Sequence, residues 1–339
     1  MPTATPDAQA EASNKEAVFG SFGKIETIAG TAQIEDKGVN GWQAAFENGP
    51  ATSSELSRPH MTVADTAGNL YVADKDAHAI RRISTEGTIT TFAGTSEAGD
   101  DGDGPGVASA MRLSSPNGVW VTGSSAVYVL DLGNDKVREI KDGTMQTLFT
   151  IGGASTGRGL WVADDASLAD VAAGSAIKKW TPEDGVVVLA SGFSSLGNLS
   201  VERDGNLLVA DRGGHRVHRV SPSGSKSVVA GNGQTTGGGD GQSALETGLN
   251  EVRGVWPEAS GGFFVATHRG GQIWFIDSTG SIHLFVDGDS SDSHAGDGQA
   301  FDDASVRISE PRGISMDTQG NLLITEHDGG YVRRVLRKL

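Results

Sequence analysis

Arginine or histidine stands directly before a short apolar run at four of six recurring positions in this sequence. In chain order the six residues are His60, Asn117, Arg158, Gly197, Arg253 and Arg312. Guanidinium groups bind carboxylates through paired hydrogen bonds, and imidazole transfers protons near neutral pH. If the fold gathers these positions, the basic side chains repel one another unless an anion or a set of carboxylates faces them. The pattern therefore predicts a site for a small anionic or carboxylate-bearing molecule.

Carboxylates recur at a second position, at the end of the next apolar run. They are Asp74, Asp131, Asp170, Asp211 and Glu326, and the fifth repeat has Thr267 instead. Two interpretations stay open. Each carboxylate could accept backbone N–H bonds from its own loop, with arginine–aspartate pairs tying the repeats together. Alternatively, the carboxylates, including Asp74, Asp131 and Asp211, could face the arginines and help to bind the ligand.

Histidines interrupt the pattern of the fifth and sixth repeats. Thr267-His268-Arg269 and Glu326-His327 depart from the consensus, and both adjoin His60 if the repeats form a ring. These residues predict an acid–base set of His60, His268, Glu326 and His327. A metal site is the alternative, although no spacing rule supports it because only the fold would assemble the ligands. In catalysis, an arginine would hold a carboxylate or a developing oxyanion while histidine or glutamate moves the proton.

Three tryptophans share one phase of the same apolar runs. They are Trp120, Trp161 and Trp256. Packing between sheets and an aromatic wall beside a ligand both fit this placement.

Four kinds of short run recur about six times and must position these residues. The clearest copy, Gly197 to Gly224, alternates apolar runs with polar turns, as a small antiparallel sheet requires. Periods of about 40 to 60 residues with four strands each predict an all-β, six-bladed β-propeller, because stacked sheets bury the faces that one sheet cannot. The first strand, Lys24 to Ala29, would pair with Tyr331 to Leu336 and close the ring.

The motif P-x-G-I-x-x-D, then G-N-L-x-V-A-D, then H-R-V resembles the NHL-repeat family of six-bladed propellers. The resemblance spans Gly23 to Leu336 and is best in residues 197–220 and 311–335, while 98–119 resembles a segment of bacterial members. The third repeat departs most, since it lacks the G-N turn and the proline. The repeat predicts one domain over residues 23–339. The mixed histidine, arginine and carboxylate positions favour a propeller hydrolase or lyase, whereas the frequent use of propellers as interaction platforms favours a non-catalytic binding module.

Relatives of this fold also suggest metals. Some similar lyases bind zinc through three positions of which only His78 and His215 keep histidine here. Hydrolases of the gluconolactonase type hold calcium with Glu, Asn and Asp, which Asn117, Asp211 and Glu326 could imitate. The neighbouring arginines would compete with such a cation.

Connection lengths predict where the site opens. The long connections 30–60, 94–117, 231–253 and 287–312 belong to blades five, six, one and two, so a cleft is expected among those blades. A connection that merely packs on itself is the alternative.

The composition of the chain excludes some classes of binding partner. A net charge of −16 argues against nucleic acid, no run reaches membrane-spanning length, and no cysteine is present. Residues 1–22 are expected to form a disordered leader without signal-peptide character. We expect a monomer that binds a small anion, with a protein partner as the alternative, in a secreted or periplasmic location or in the cytoplasm.

Overall fold

The chain folds into six antiparallel sheets in a computed structural model, which describes residues 13–33, 38–153, 156–288 and 294–338. In chain order its strands are β1 (Phe22–Ala29), β2 (Gly49–Pro50), β3 (Pro59–Ala64), β4 (Leu70–Asp74), β5 (Ala79–Ile83), β6 (Thr88–Ala93), β7 (Gly106–Val107), β8 (Pro116–Val121), β9 (Val127–Asp131), β10 (Lys136–Lys141), β11 (Thr144–Thr150), β12 (Leu160–Val162), β13 (Ala169–Ala173), β14 (Ala176–Thr181), β15 (Gly185–Ser191), β16 (Leu196–Val201), β17 (Leu207–Asp211), β18 (Arg216–Val220), β19 (Lys226–Ala230), β20 (Val252–Pro257), β21 (Phe263–Thr267), β22 (Gln272–Ile276), β23 (Ile282–Asp287), β24 (Pro311–Met316), β25 (Leu322–Glu326) and β26 (Tyr331–Arg337). One α-helix, α1, spans Lys15–Gly20, and short 3₁₀ helices span Ala44–Phe46, Ala51–Ser53, Ala108–Ala110 and Leu132–Asn134.

Each sheet is one blade of a propeller. The innermost strands of blades one to six are β3, β8, β12, β16, β20 and β24, and three further strands follow each of them outward. Neighbouring inner strands contact each other around the whole ring, from β3 through β24 and back to β3. The predicted all-β, six-bladed propeller with four-stranded antiparallel blades is confirmed.

The outer strand of blade six is β1, the first strand of the described chain. β1 pairs antiparallel with β26, with Ile25 opposite Val335 and Glu26 opposite Arg334. Glu26 also forms an ion pair of 2.5 Å with Arg334. The first and last strands of the described chain therefore share one sheet.

Hydrophobic packing holds the blades together. The described residues form six buried clusters, and each cluster combines side chains from two neighbouring blades. This distribution follows from the repeat, since a four-stranded sheet has two apolar faces and one neighbour on each side. Within the described ranges, no helix has the length and apolar character that crossing a membrane requires.

The predicted leader, residues 1–22, is partly folded. Residues 1–12 lie outside the described part of the chain, but residues 13–20 include α1 and residue 22 begins β1. Phe19 and Phe22 pack edge-on against Phe285, with ring centroids 5.2 and 5.1 Å away. Ser13 also donates a hydrogen bond to Asp277 in blade five. Phe22 is buried and Phe19 is partly buried in the apolar cluster between blades five and six, so residues 13–22 pack on the propeller.

Blade three corrects the predicted repeat register. Its second strand, β13, runs from 169 to 173, so Ala173 occupies the position that Asp74 and Asp131 hold in other blades. Asp170 instead lies near the start of the strand, opposite Trp161 and Lys179. The prediction that Asp170 ends the second strand is wrong, because without the Gly–Asn turn the sequence offers no marker of register.

The long connections run along the outer edges of their own blades. β2 pairs with the outer strand β6 of blade one, and β7 pairs with β11 of blade two. In blades five and six, isolated bridges join Ser243 to Ser281 and Lys24 to Ala300. Part of each long connection thus covers a sheet edge that would otherwise expose unpaired backbone groups.

Candidate functional site

A cavity of about 450 Å³ opens at one end of the central channel, and residues from all six blades line it. We call it the mouth cavity. It is wider than the predicted cleft among blades five, six, one and two. Its lining includes seven basic side chains and three carboxylates: Arg58, Lys75, Arg158, Arg212, Arg253, Arg269, Arg312, Glu251, Glu310 and Asp328. A protein of net charge −16 therefore concentrates positive charge at this one opening.

The repeat places the predicted residues around this cavity. The six residues predicted at the recurring position before each inner run are the second residues of the inner strands, except Arg158, which lies just before β12. His60, Asn117, Arg158, Arg253 and Arg312 all line the cavity, whereas Gly197 does not. His268 and His327 follow β21 and β25 directly and also line it. The structure thus gathers three histidines and three arginines that the sequence had placed together.

The channel below the mouth cavity is filled. In four inner strands the next residue is glycine, and at Gly313 a β-carbon would lie 2.7 Å from the carbonyl oxygen of His60. In the opposite blades one and four, Met61 and Asn198 meet across the channel, with Asn198 Nδ2 3.1 Å from Met61 Sδ. These side chains form a floor, so the cavity is a pocket and not a pore.

The predicted tryptophans lie below that floor and do not line the cavity. Trp120 and Trp256 come from opposite blades, and their ring centroids are 6.2 Å apart. Trp161 packs against the apolar cluster between blades three and four. All three rings therefore serve packing in the described structure, and the aromatic wall beside a ligand is not formed.

His60 lies between two arginines. Arg158 Nε is 3.2 Å from His60 Nδ1, and Arg312 Nη1 is 3.3 Å from His60 Nε2. Burial, followed by the charges of Arg158 and Arg312, lowers the pKa of His60 well below its ordinary value. The imidazole is consequently neutral at physiological pH, with one ring nitrogen that accepts a hydrogen bond and one that donates.

His268 lies between an arginine and a glutamate. Its Nε2 is 3.3 Å from Arg312 Nη2 and 3.3 Å from Glu310 Oε2, while its buried Nδ1 has no hydrogen-bond partner in the described structure. Burial is the main cause that lowers the pKa of His268, and the charges of Arg312 and Arg253 lower it further. A backbone hydrogen bond to Glu310 acts in the opposite direction and raises this pKa.

His327 belongs to a third group with Arg58 and Asp328. Arg58 Nη2 lies 3.1 Å from His327 Nδ1 and pairs with Asp328, which also contacts His327. The imidazole rings of His327 and His60 are 4.6 Å apart between centroids. Burial and then His60 and Arg312 lower the pKa of His327 well below its ordinary value.

Arg253 has the least complete hydrogen bonding of the buried mouth residues. Arg253 Nη2 donates to Glu251 Oε2 over 2.8 Å, but its Nε and Nη1 have no partner among the described residues, although the residue is only 4% exposed. Arg312 Nε is unpartnered in the same way. Buried guanidinium N–H groups without acceptors are costly, so a ligand that accepts from them is favoured.

Three of the residues that complete this site were not predicted from the sequence. Arg58, Glu251 and Glu310 each stand two positions before a predicted mouth residue, and all have left-handed backbone, with φ of 58°, 58° and 41°. The repeat alignment itself would have found them if the position two residues upstream had been compared. Asp328, which follows His327, carries no such repeat signal.

The strand-ending carboxylates lie outside the mouth cavity, contrary to the interpretation that they face the arginines there. Asp74 accepts from Ser57 N over 2.6 Å, Asp131 from Ser114 N over 2.7 Å, Asp211 from Ser194 N over 3.0 Å, and Glu326 from Ser309 N over 2.8 Å. Their other oxygens face a basic residue of the next strand, which is Arg81, Arg138, His218 or Arg333. Each carboxylate therefore fixes the loop of its own blade, as the alternative interpretation has it.

The predicted metal ligands do not come together. Of Asn117, Asp211 and Glu326, only Asn117 lines the cavity, and its Nδ2 donates to the carbonyl oxygen of Gly157 over 3.2 Å. The two histidines considered for zinc contact backbone groups. His78 Nδ1 accepts from Ser115 N over 3.0 Å, and His215 Nδ1 lies 3.2 Å from the carbonyl oxygen of Leu249 and 3.3 Å from Glu251 N. Neither the calcium set nor the zinc set is assembled.

Another group could in principle hold a cation. Ligand atoms of Glu310, His327 and Asp328 lie within 4.8 Å of one another. However, Arg58 pairs with Asp328, and Arg312 Nη2 lies 3.7 Å from Glu310 Oε2. Two fixed positive charges at these oxygens oppose a divalent ion, so the donor set does not fit a metal.

Comparison with known proteins agrees with this fold. The teneurin NHL domain profile matches residues 21–141, and this match agrees with the six-bladed architecture and with the resemblance to NHL repeats. A structural-genomics protein of unknown function from Bacteroides thetaiotaomicron is similar over 93% of this chain and 76% of its own, with a TM-score of 0.73 and 16% identity. No curated protein matches the sequence.

Two further solved structures have the same fold. An auxiliary nutrient binding protein from Bacteroides thetaiotaomicron is 12% identical, with a TM-score of 0.68, over 94% of this chain and 77% of its own. A streptogramin B lyase is 13% identical, with a TM-score of 0.60, over 84% of this chain and 95% of its own. Identities this low establish a shared propeller architecture and leave function to be argued from the site.

Proposed function

We propose that this protein is an enzyme of the propeller lyase or hydrolase kind, which binds a small carboxylate-bearing substrate in the mouth cavity. The observation that carries the proposal is the incomplete hydrogen bonding of Arg253, a residue only 4% exposed whose Nε and Nη1 lack partners. A carboxylate accepts charge-assisted hydrogen bonds from guanidinium N–H groups, and two nitrogens of Arg253 lack such an acceptor.

The histidines supply the acid–base chemistry. His268 is neutral in the free protein and lies 3.3 Å from Glu310, which stabilises the imidazolium once a proton arrives. A substrate carboxylate that binds Arg312 also neutralises the charge that holds the pKa of His268 down. His268 then acts as the base, with its Nδ1 as the acceptor, while an arginine stabilises the developing negative charge on the substrate.

Binding without turnover is the second candidate. It is favoured by the position of His60, whose two ring nitrogens both face arginines. A nutrient binding protein of the same fold shows that the architecture also serves proteins described as binding proteins.

Thermal unfolding with a panel of anions tests the binding step. Acetate, lactate, succinate, citrate and inorganic phosphate are added in turn to the full chain, and at least one carboxylate is expected to raise the melting temperature by several degrees. Arg253→Gln should abolish that rise. Arg203→Gln, which removes the same charge from an exposed turn of blade four, should keep it. A panel without any effect, or an equal loss in both variants, would contradict the binding proposal.

Turnover assays on lactones, esters and hydroxycarboxylates test the catalytic step. His268→Asn should lower kcat by about a hundredfold or more while ligand binding persists. His283→Asn, in the outer strand β23, is the matched control and should keep full activity. Binding that persists with no turnover in the wild-type protein would favour the second candidate.

A further inference from the structure

Two arginines compete for one acceptor at the centre of the mouth cavity. Arg158 from blade three and Arg312 from blade six reach opposite ring nitrogens of His60, at 3.2 and 3.3 Å. A neutral imidazole has one N–H and one accepting nitrogen, so it can accept from only one of these arginines. Protonation would remove even that acceptor. The other arginine therefore directs an N–H toward an N–H, and the arrangement is incomplete without a further acceptor.

The charges around the cavity show the same imbalance. Each lining carboxylate already faces basic groups: Glu251 faces Arg253 at 2.8 Å and Arg269 at 3.3 Å, Glu310 faces Arg312 at 3.7 Å, and Asp328 faces Arg58. By contrast, Arg158 and Arg212 have no carboxylate partner among the described residues. A ligand with a single negative charge would leave much of the excess positive charge of the cavity uncompensated.

Unpartnered donor groups lie beside this pair of arginines. Arg312 of blade six keeps an unpartnered Nε, and Arg253 of the neighbouring blade five keeps an unpartnered Nε and Nη1. The charge of Arg253 is also the strongest charge acting on Arg158, after burial, in lowering the pKa of that guanidinium. An anionic group beside Arg158 would relieve this repulsion.

We infer that the ligand carries two anionic groups a few bonds apart, as a short aliphatic dicarboxylate does. One group binds Arg312 and the other binds Arg158, on opposite sides of His60. This inference rests on the proposed function of the cavity and specifies the class of substrate that it takes. Monocarboxylates fill only one of the two positions.

Isothermal titration calorimetry of the full chain with succinate and butyrate tests the inference at low ionic strength. The two molecules have the same number of carbon atoms and differ by one carboxylate. Succinate is expected to bind about tenfold tighter or more, because its second carboxylate adds a charge-assisted hydrogen bond to a desolvated arginine. Arg158→Gln should remove most of that difference, and Arg203→Gln should leave it unchanged.

The outcomes separate this inference from the proposed function. Equal affinities for succinate and butyrate, or tighter binding of butyrate, would overturn the two-anion inference and leave a carboxylate site in place. Binding of neither molecule, together with no response to the wider anion panel, would overturn both. The comparison of the two ligands on the wild-type chain decides the matter even if a variant folds poorly.

Discussion

Two sets of arginines in this propeller differ in their partners. Arg81, Arg138 and Arg333, which we call the blade arginines, are fully buried in the third strands of their blades. Arg158, Arg253 and Arg312, the mouth arginines, surround the channel opening. Arg138 bonds to Asp131, Asp100, Thr147 and the carbonyl oxygen of Gly102, whereas Arg253 has one hydrogen bond and two unpartnered nitrogens.

Hydrogen bonding therefore distinguishes Arg138 from Arg253, although both residues are buried. The carboxylate and the basic residue of a blade occur together: Asp74 with Arg81, Asp131 with Arg138, and Glu326 with Arg333. Blades five and three have Thr267 and Ala173 instead of the acid, and they have Trp274 and Lys178 instead of arginine. Of the mouth arginines, Arg253 and Arg312 face Glu251 and Glu310, whereas Arg158 faces no carboxylate among the described residues.

Among these predictions, the substitution of a blade arginine should cause the largest loss of folding stability. Arg138→Met leaves Asp131 buried without its cation, so we expect the free energy of unfolding to fall by about 3–5 kcal/mol. Urea denaturation followed by circular dichroism measures the change. The double variant with Asp131→Leu should recover part of the loss, because the uncompensated charge is gone. A change in unfolding free energy below about 1 kcal/mol in the single variant would show that Arg138 has no structural role of this kind.

Asp170 is a buried carboxylate that has no arginine partner among the described residues, so it tests how much an unpaired buried charge costs. Burial raises the pKa of Asp170 to about 6, and only the charge of Lys179 opposes this. The folded state therefore binds the proton more tightly than the unfolded state, and stability falls as pH rises from about 4 to about 6.

Asp170→Asn should remove that pH dependence and stabilise the protein at pH 7 by up to about 3 kcal/mol. The measurement is the difference between wild-type and variant unfolding free energies at pH 4 and pH 7. Because both proteins share every other titrating group, the difference isolates Asp170. A stabilisation of equal size at both pH values would contradict the explanation by ionisation.

A mouth arginine should behave in the opposite way to a blade arginine. Arg158→Gln removes a cation that Arg253, Arg312 and Arg212 repel, as the lowered pKa of Arg158 reflects after the effect of burial. We expect the unfolding free energy without ligand to stay within about 1 kcal/mol of the wild-type value, or to rise. A loss comparable to that of Arg138→Met would show that Arg158 has a structural role.

The sequence predicts the fold well because the repeat carries the information. Short apolar runs, turns and a period are enough to define the blades, and the same alignment selects His60, Arg253 and Arg312 for one opening. It fails in blade three, where the sequence lacks a turn marker, so that Ala173 and not Asp170 holds the equivalent position.

Side-chain direction is what the sequence could not supply. Asp131 and Asp211 end strands close to the opening, yet their oxygens bind the backbone N–H groups of Ser114 and Ser194 in the preceding loops. Conversely, Arg58 and Glu310 enter the site from left-handed turns, where no strand alternation predicts the direction of a side chain. Hydrogen-bond partners therefore decided which charged residues belong to the site.

Proton uptake on ligand binding is the smallest expected effect. The charges of Arg158 and Arg312 add to burial in lowering the pKa of His60, so an anion that neutralises them should raise that pKa. The complex then holds more protons than the free protein, and affinity should increase as pH falls toward 5. Calorimetry in two buffers of different ionisation enthalpy should show uptake of a fraction of one proton per ligand. Arg158→Gln should reduce the proton uptake, whereas Arg203→Gln should leave it unchanged. Proton release, or an affinity that is independent of pH from 5 to 8, would mean that ligand binding does not change the pKa of the mouth histidines.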